Sequence, residues 1–249
     1  MLREIRGDLY GEKVWVAIIS SDRPGNMRGM WELVGGATWY VGDRQARYYE
    51  MARELARLSP TETQIVESGK LCESRNAAIK DAQRHGVPCA ELSDDLRKIE
   101  WKSPHEDKPL GIAFEQAIRW IREEMVAIGA HLGGVAPTSN PFFARSETRD
   151  KAFIVGDFIV IDDHELLFDE QMCLKEDYDY TLQHIQKHEK VCRLDYVLAT
   201  FLHRTNKGGA VSDRTGKKEL DMIDYLKKKW GTQVIRPSGR NEYEIRLNL

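Results

Sequence analysis

Near-continuous apolar runs alternate with amphipathic segments in the N-terminal part of the chain. Residues 14–19, VWVAII, have the composition of a parallel strand that is buried on both faces of a sheet. Further strands are predicted at residues 35–43, 64–67 and 87–92. Because helical segments separate these strands, the order favours an α/β domain with right-handed crossover connections and a mostly parallel central sheet.

Helical periodicity identifies the other elements. One helix, ended by Ser59-Pro60, has apolar residues three and four positions apart: Tyr48, Met51, Ala52, Leu55 and Leu58. A second helix is predicted to open on Ser74-Arg75-Asn76, and a third covers residues 111–131. Glu176-Asp177 form the first turn of a fourth, where the helix dipole favours carboxylates. Residues 217–230 form a basic helix.

The second half of the chain has a different character. Residues 94–108 are polar and indicate a loop, and residues 133–141 are a glycine-rich loop. Residues 152–161 carry Gly156-Asp157 between two apolar runs, which predicts a small β-hairpin. Residues 191–201 read as one strand, and two short strands, at residues 232–235 and 243–247, complete the domain.

Length and charge limit the class of protein. The 249 residues suffice for one large domain, so we predict a single domain over residues 1–249. Lys plus Arg total 37 against 40 Asp plus Glu, and the net charge of −3 gives no global attraction to nucleic acid. A polyanionic partner would therefore have to bind a local basic patch.

The four cysteines, Cys72, Cys89, Cys173 and Cys192, are widely separated and form no CxxC pair. This spacing argues against a zinc ribbon and against the disulfide framework of a secreted protein. The sequence also has no signal-peptide pattern and no apolar run approaching the roughly eighteen residues of a membrane span. We therefore expect a cytoplasmic protein without a membrane partner.

Two polar segments about twenty residues apart suggest a nucleotide site. The predicted helix start at Arg75 and Asn76 offers a cation and backbone N–H groups to phosphate oxygens. The strand end at Ser93-Asp94-Asp95 offers carboxylates to a divalent cation. Together they predict a site for a nucleotide diphosphate and its metal. The alternatives are a surface ion pair for Arg75 and a solvated turn for the two aspartates.

The order of these segments resembles a known family. The pieces VAIISSDRPGN, TWYVGD, SRNAA, SDDL and KEDYDYTLQHI follow one another as in GT-A glycosyltransferases. More narrowly, they resemble the bacteriophage and TET-associated group that glycosylates modified bases in DNA. The resemblance covers residues 14–210, and SRNAA and KEDYDYTLQH are its most specific parts. It implies a single Rossmann-like GT-A domain with a donor half of about residues 1–110 and an acceptor half of about residues 111–249.

The resemblance implies a set of donor-binding residues. Asp95 would hold the divalent cation, Mn²⁺ or Mg²⁺, with Asp94 beside it, and Arg75 and Asn76 would meet the diphosphate of a UDP-sugar. Ser93 departs from the family pattern, because many relatives have a first aspartate there. The base and ribose of the nucleotide would bind four residues of the loop after the first strand and one after the second: Ser20, Ser21, Asp22, Arg23 and Asp43.

The resemblance also implies catalytic residues and two ligands near the C-terminal end of the chain. Glu176 and Asp177 match the Glu-Asp motif that supplies the general base of inverting enzymes, and Asp177 is the predicted base. Their alternative is the ordinary acidic bias of a first helical turn. His203 would complete the metal shell, and Lys207, in the same polar loop, would close over the diphosphate.

For the acceptor, Phe142, Phe143 and Arg145 could stack on a flipped base and contact its backbone. Packing of the two phenylalanines in the core is the alternative. A basic face is suggested by scattered cations near the C-terminus: Lys207, Arg214, Lys217, Lys218 and Lys227–Lys229.

The sequence therefore predicts a metal-assisted, inverting glycosyltransferase, which moves a sugar from a nucleotide sugar to a hydroxymethylated pyrimidine in double-stranded DNA. A glycosyltransferase that acts on protein or glycan, and a non-catalytic DNA-binding protein that keeps the fold, remain as alternatives.

Overall fold

The computed structural model describes residues 1–5, 12–106, 108–202 and 215–249. Its helices are α1 Met27–Val34, α2 Ala46–Leu55, α3 Leu71–His85, α4 Phe114–Ile128, α5 Glu176–His188 and α6 Gly216–Trp230. Its strands are β1 Leu2–Ile5, β2 Glu12–Ser20, β3 Ala37–Val41, β4 Thr63–Glu67, β5 Cys89–Ser93, β6 Leu96–Trp101, β7 Leu110–Gly111, β8 Leu132–Val135, β9 Thr148–Arg149, β10 Phe158–Ile161, β11 Cys192–Leu194, β12 Val197–Phe201, β13 Ile235–Pro237 and β14 Ile245–Leu247.

A nine-stranded sheet forms the centre of the described part of the chain. Its order is β4-β3-β2-β5-β10-β8-β11-β9, and β1 pairs with β2. β4, β3, β2 and β5 are parallel neighbours, β8 and β11 run in the same direction, and β1, β9 and β10 run against them. Most strands therefore share one direction, and the predicted α/β fold with a mostly parallel central sheet is confirmed.

Both faces of this sheet are covered by helices. Alternate residues of β2 explain why, since Val14, Val16 and Ile18 point into one apolar core and Trp15, Ala17 and Ile19 into the other. Helices α1 and α4 supply side chains to the first core, and α3, α5 and α6 to the second. The continuous apolar run of β2 is thus the consequence of burial on both sides.

Three local predictions in the second half are wrong because the strands pair with distant partners. Residues 152–161 form no hairpin, since only Phe158–Ile161 is a strand and it lies between β5 and β8. The predicted loop at residues 94–108 contains β6, which pairs with β12 and β7 in a small second sheet. Residues 191–201 form two strands, β11 and β12, in different sheets.

The apolar face predicted for α2 is also wrong. Tyr48, Met51 and Leu55 are 50%, 57% and 84% exposed, whereas Tyr49 is fully buried. Helix α2 therefore turns a different face to the core than predicted. The Tyr49 hydroxyl explains which face this is, because it bonds to the Ser20 hydroxyl at 2.6 Å. A buried tyrosine usually places its hydroxyl against a polar partner, and that partner lies at the end of β2.

The carboxyl ends of β2, β3 and β5 meet at one edge of the sheet. In open α/β sheets this edge holds ligands. Because β8 runs parallel to β5 across β10, the segment that follows β8 leaves the sheet at the same edge. In the described ranges, no helix has the length and apolar character needed to cross a membrane.

Candidate active site

A cleft of about 850 Å³ opens at this edge of the sheet. It is bounded by the turns after β2, β3 and β5, by the start of α3, by the segment before β10 and by the first turn of α5. Most of the predicted site residues line it: Ser20, Ser21, Arg23, Asp43, Arg75, Asp94, Asp95, Glu176 and Asp177. The fold therefore brings the predicted donor and base residues into one cleft, although they are far apart in sequence.

The turn after β2 is fixed to α2. The Ser20 hydroxyl bonds to both Tyr49 and the Asp94 carboxylate, and the backbone N–H of Arg23 donates to the Tyr49 hydroxyl at 3.1 Å. Gln45 accepts from the backbone N–H of Asp22 at 2.9 Å and donates to the Asp22 carboxylate at 2.9 Å. The loop is thus held in one conformation against the cleft.

Asp22 itself does not line the cleft. Its backbone adopts a left-handed φ of 57°, and Gln45 engages its carboxylate. Gln45 also donates to the Ser21 hydroxyl at 3.2 Å. Asp22 and Gln45 therefore shape the turn that presents Ser21 and Arg23. Asp43, after β3, lies exposed at the rim of the same cleft.

Asp94 and Asp95 are buried at the end of β5, with 1% and 2% of their surface exposed. Arg23 bridges them, with Nη1 at 2.9 Å from Asp94 Oδ1 and 3.6 Å from Asp95 Oδ2. Burial raises the pKa of Asp94, while hydrogen bonds from Ser20 and Arg23 oppose that rise. The pair is thus a compact acidic site with one cation already beside it.

The residues present fit a divalent cation. Asp95 Oδ1 is buried and has no hydrogen-bond partner among the described residues, so one carboxylate oxygen is available to a ligand. Mg²⁺ and Mn²⁺ are commonly held by one or two carboxylates, with substrate phosphate oxygens completing the shell. The described ranges hold no group of three or more His, Cys, Asp or Glu arranged for a metal ion. The predicted metal ligand His203 and the predicted phosphate ligand Lys207 lie outside the described residues.

Arg75 occupies the floor of the cleft and is 5% exposed. Its Nη1 is 2.9 Å from Glu91 Oε2, and its Nη2 is 3.3 Å from Glu176 Oε1. Its guanidinium carbon lies 5.0 Å from the centre of the Phe168 ring. Glu91 is completely buried, and burial raises its pKa to about 7. The cation predicted for phosphate binding is therefore paired with two carboxylates of the protein.

Helix α3 begins at Leu71, three residues before the predicted start. The backbone N–H of Ser74 is consequently bonded to Lys70 O at 2.8 Å and is not free for a phosphate, which corrects the predicted anion site at that position. Asn76 does not line the cleft. Its side chain bonds to the backbone N–H and carbonyl of Phe168, at 2.8 and 3.0 Å, and so secures the segment before α5.

Asp177 lies half-buried in the cleft wall. It accepts hydrogen bonds from the backbone N–H of Gly156 at 3.2 Å and from its neighbour Tyr178 at 3.0 Å. Burial and the adjacent Glu176 charge raise the pKa of Asp177 to about 7. A carboxyl group that titrates near neutral pH is suited to accept a proton from a hydroxyl group.

The first turn of α5 is tied to the C-terminal part of the chain. Lys175, at a left-handed φ of 63°, pairs with Glu219 at 2.7 Å. The Tyr178 hydroxyl donates to Ile245 O at 3.0 Å, and the Tyr178 ring stacks on Phe153 with centres 4.1 Å apart. Helix α6 and strand β14 thus buttress the turn that carries Glu176 and Asp177.

The predicted acceptor loop leaves the sheet at the same edge as the cleft. Phe142 and Phe143 form a short 3₁₀ turn capped by the Asn140 side chain, and they are 84% and 61% exposed. Their rings touch edge to face, with centres 5.2 Å apart. Core packing, the alternative considered for these residues, is therefore wrong. Arg145 anchors the loop through its backbone N–H, which donates to Asp195 O.

The predicted basic face is smaller than the sequence suggests. Lys229 pairs with Asp169 and Asp179 at 2.8 and 2.9 Å, and Lys227 lies 3.7 Å from Asp224. At the start of α6, Lys217 is exposed and Lys218 is half-buried. Lys207 and Arg214 lie outside the described residues.

Sequence reasoning missed several residues of this site. Glu91, Tyr49 and Gln45 hold groups that line the cleft, and Gly156 touches the predicted base. Glu91 carried a detectable signal, because a carboxylate inside the apolar strand VPCAEL needs a buried cation. The contact of Gly156 depends on tertiary packing and has no local signature.

No protein-family model and no curated protein match the sequence. Among solved structures, S. aureus TarS 1–349 in complex with UDP-GlcNAc is similar, with 12% identity, a TM-score of 0.52, and coverage of 86% of this chain and 66% of that one. A second structure of TarS 1–349 has 11% identity, a TM-score of 0.49, and coverage of 75% and 60%. The chain thus spans less than two thirds of either TarS structure. The first likeness shows the shared fold.

Proposed function

We propose that this protein is a nucleotide-sugar-dependent glycosyltransferase with a UDP-sugar donor. The observation that carries the proposal is the cleft that joins Asp94 and Asp95, at the end of β5, to Asp177, at the start of α5. The shared fold with TarS 1–349, which was solved with UDP-GlcNAc, supports a UDP-sugar in this cleft. A binding protein that merely kept the fold would need neither the acidic pair nor a third carboxyl group, that of Asp177, whose pKa is raised to about 7.

The donor half binds the nucleotide. The fixed turn at Ser20, Ser21 and Arg23, together with Asp43, contacts the base and ribose. Asp95, whose carboxylate has an oxygen without a hydrogen-bond partner among the described residues, would hold a divalent cation with Asp94 beside it. A bound cation would supply charge neutralisation for the departing diphosphate. Arg23 lies within reach of both carboxylates and adds a further positive charge to this half of the cleft.

The acceptor half activates a hydroxyl group. Asp177 accepts the proton as the acceptor oxygen bonds to the anomeric carbon, and the bond from that carbon to the phosphate oxygen breaks, releasing UDP. A direct displacement of this kind inverts the anomeric configuration. The backbone N–H groups of Gly156 and Tyr178 hold the carboxylate in place while it takes the proton.

We propose a hydroxymethylated pyrimidine in double-stranded DNA as the acceptor. The sequence resemblance suggests this class, and the exposed Phe142 and Phe143 support it, because a base turned out of the duplex stacks on aromatic rings. Both residues follow β8, at the edge where the cleft opens. Protein and glycan hydroxyl groups are the competing acceptors.

The test combines donors and acceptors. The protein is incubated with Mn²⁺, a panel of UDP-sugars and duplex DNA that contains 5-hydroxymethylcytosine, and the nucleosides are examined by mass spectrometry. The proposal expects the mass of one hexose or N-acetylhexosamine on the modified nucleoside, and none on DNA with unmodified cytosine. Transfer to protein or glycan, with no mass change in the DNA, would reject the DNA acceptor and retain the glycosyltransferase.

A further inference from the structure

A buried chain of charges runs beneath the predicted base. Glu91 of β5 is fully buried, and Arg75 of α3 bridges it to Glu176 of α5, with N–O distances of 2.9 and 3.3 Å. The remaining polar atoms of this pair, Glu91 Oε1 and Arg75 Nε, are buried and have no hydrogen-bond partner among the described residues. Burying charged groups is unfavourable, and even good pairing often only offsets that cost. Stability alone therefore gives a weak reason for this arrangement.

Gly156 lies between this chain and the base. A Cβ atom at this position would lie 2.7 Å from Arg75 Nη2 and 3.3 Å from Asp177 Cβ. The guanidinium has little freedom to move away, since two carboxylates and the Phe168 ring hold it. The Gly156 backbone thus rests on Arg75 and donates its N–H to the Asp177 carboxylate.

We propose that Arg75, anchored by Glu91, is a positioning residue that holds Glu176 and the Gly156 backbone in the geometry required by the Asp177 carboxylate. This inference rests on the proposed function, in which Asp177 is the base. It gives Arg75 a different role from the diphosphate contact suggested by the sequence.

The charges around Asp177 agree with this role. Glu176 on the same helix and Asp157 before β10 raise its pKa, while Arg75 from α3 lowers it. Lys175 precedes this turn and is paired with Glu219. The Arg75 cation thus opposes the effect of Glu176 on the pKa of Asp177.

The first experiment separates positioning from phosphate binding. In Arg75→Lys, one ammonium group replaces a fork that spans two carboxylates. We expect kcat to fall about ten-fold or more, since small misplacements of a catalytic group cost up to about 10²-fold, while the Kd for UDP stays within about two-fold. A large rise in the Kd for UDP with unchanged kcat would overturn the inference and return Arg75 to the diphosphate.

A glycine pair tests the contact beneath the base. Gly156→Ala should lower kcat by about ten-fold or more without changing UDP binding, because the new methyl group meets Arg75 and Asp177. Gly111→Ala is the matched control, since a Cβ at Gly111 meets no atom within 4 Å. Wild-type kcat in Gly156→Ala would contradict the inference.

A third measurement needs no transferase activity. The pKa of the Asp177 carboxyl group is measured by ¹³C NMR titration in the wild type, in Glu176→Gln and in Glu170→Gln, whose side chain lines the same cleft. Loss of the Glu176 charge should lower this pKa, and Glu170→Gln should leave it unchanged. An unchanged Asp177 pKa in Glu176→Gln would overturn the inference. Absence of transfer by the wild type with every donor would instead reject the proposed function.

Discussion

The pH dependence of transfer follows from the surroundings of Asp177. Burial and Glu176 raise its pKa from the ordinary 3.8 to about 7. Because a general base must be ionised to accept a proton, kcat/KM should fall as the pH drops through about 7. A group with this pKa is about nine-tenths ionised at pH 8 and about one-tenth ionised at pH 6, which corresponds to a roughly ten-fold loss. An aspartate with an ordinary pKa would be ionised at both values.

The assay is UDP release at subsaturating donor and acceptor, measured from about pH 5.5 to 8.5, with UDP binding followed over the same range. Asp177→Asn should lose about 10² to 10⁴ in rate and should also lose the acidic limb, while it still binds UDP. Burial likewise brings the pKa of Glu91 to about 7, so Glu91→Gln is compared with Asp177→Asn: it should lower kcat, because Glu91 anchors Arg75, but should keep an acidic limb, because Asp177 is retained. A wild-type profile that stays flat between pH 6 and 8 would refute the assignment of Asp177.

Three further predictions concern the metal, the acceptor and the stability of the fold. Asp95→Asn should abolish the Mn²⁺-dependent binding of UDP measured by calorimetry. The control, Asp150→Asn, changes an exposed residue outside the cleft and should bind UDP like the wild type. Equal binding by both variants would remove Asp95 from the metal site. Replacing Phe142 and Phe143 by serine should raise the KM for DNA about ten-fold or more, because stacking contributes about 1–3 kcal/mol per base. Donor binding should be unaffected. An unchanged KM for DNA would exclude this loop from acceptor binding. Because burial raises the folded pKa of Glu91 from 4.5 to about 7, its contribution to the free energy of unfolding is full below pH 4.5 and falls, by about 3 kcal/mol in total, as the pH rises through 7. Asp177, whose pKa is also raised to about 7, adds a slope of the same sign, so Glu91→Gln should reduce but not remove the slope in urea unfolding; a slope identical to that of the wild type would contradict this prediction.

The donor half of the fold was predictable because its signals are local. The apolar run of β2 and the acidic end of β5 are each visible within a few residues, and the edge at which they meet follows from the rule for parallel strands. The second half was less predictable, since β10 lies between β5 and β8, two distant strands that both precede it in the chain, and no local pattern specifies that position. Periodicity likewise chose the wrong face of α2, because it ranks Leu55 above Tyr49, whose ring is apolar but whose hydroxyl needs Ser20.

The candidate site was likewise predictable only where the signal is local. The residue types at Asp95 and Asp177 were readable as chemistry, and the structure brings both into one cleft. The partners of Arg75 could not be predicted from the sequence, since a cation near a helix start can pair with a phosphate as well as with a carboxylate. Glu91 decides between these possibilities, and only the pairing of α3 with β5 places the two side chains 2.9 Å apart.

The central claim is that the cleft binds a UDP-sugar and transfers its sugar. The most direct measurement is UDP release from a panel of UDP-sugars with Mn²⁺ and hydroxymethylated DNA, comparing the wild type with Asp95→Asn and Asp177→Asn. We predict release from at least one donor by the wild type, loss of both release and donor binding in Asp95→Asn, and loss of release alone in Asp177→Asn. Wild-type protein that neither binds nor cleaves any UDP-sugar, or variants that release UDP at the wild-type rate, would contradict the account.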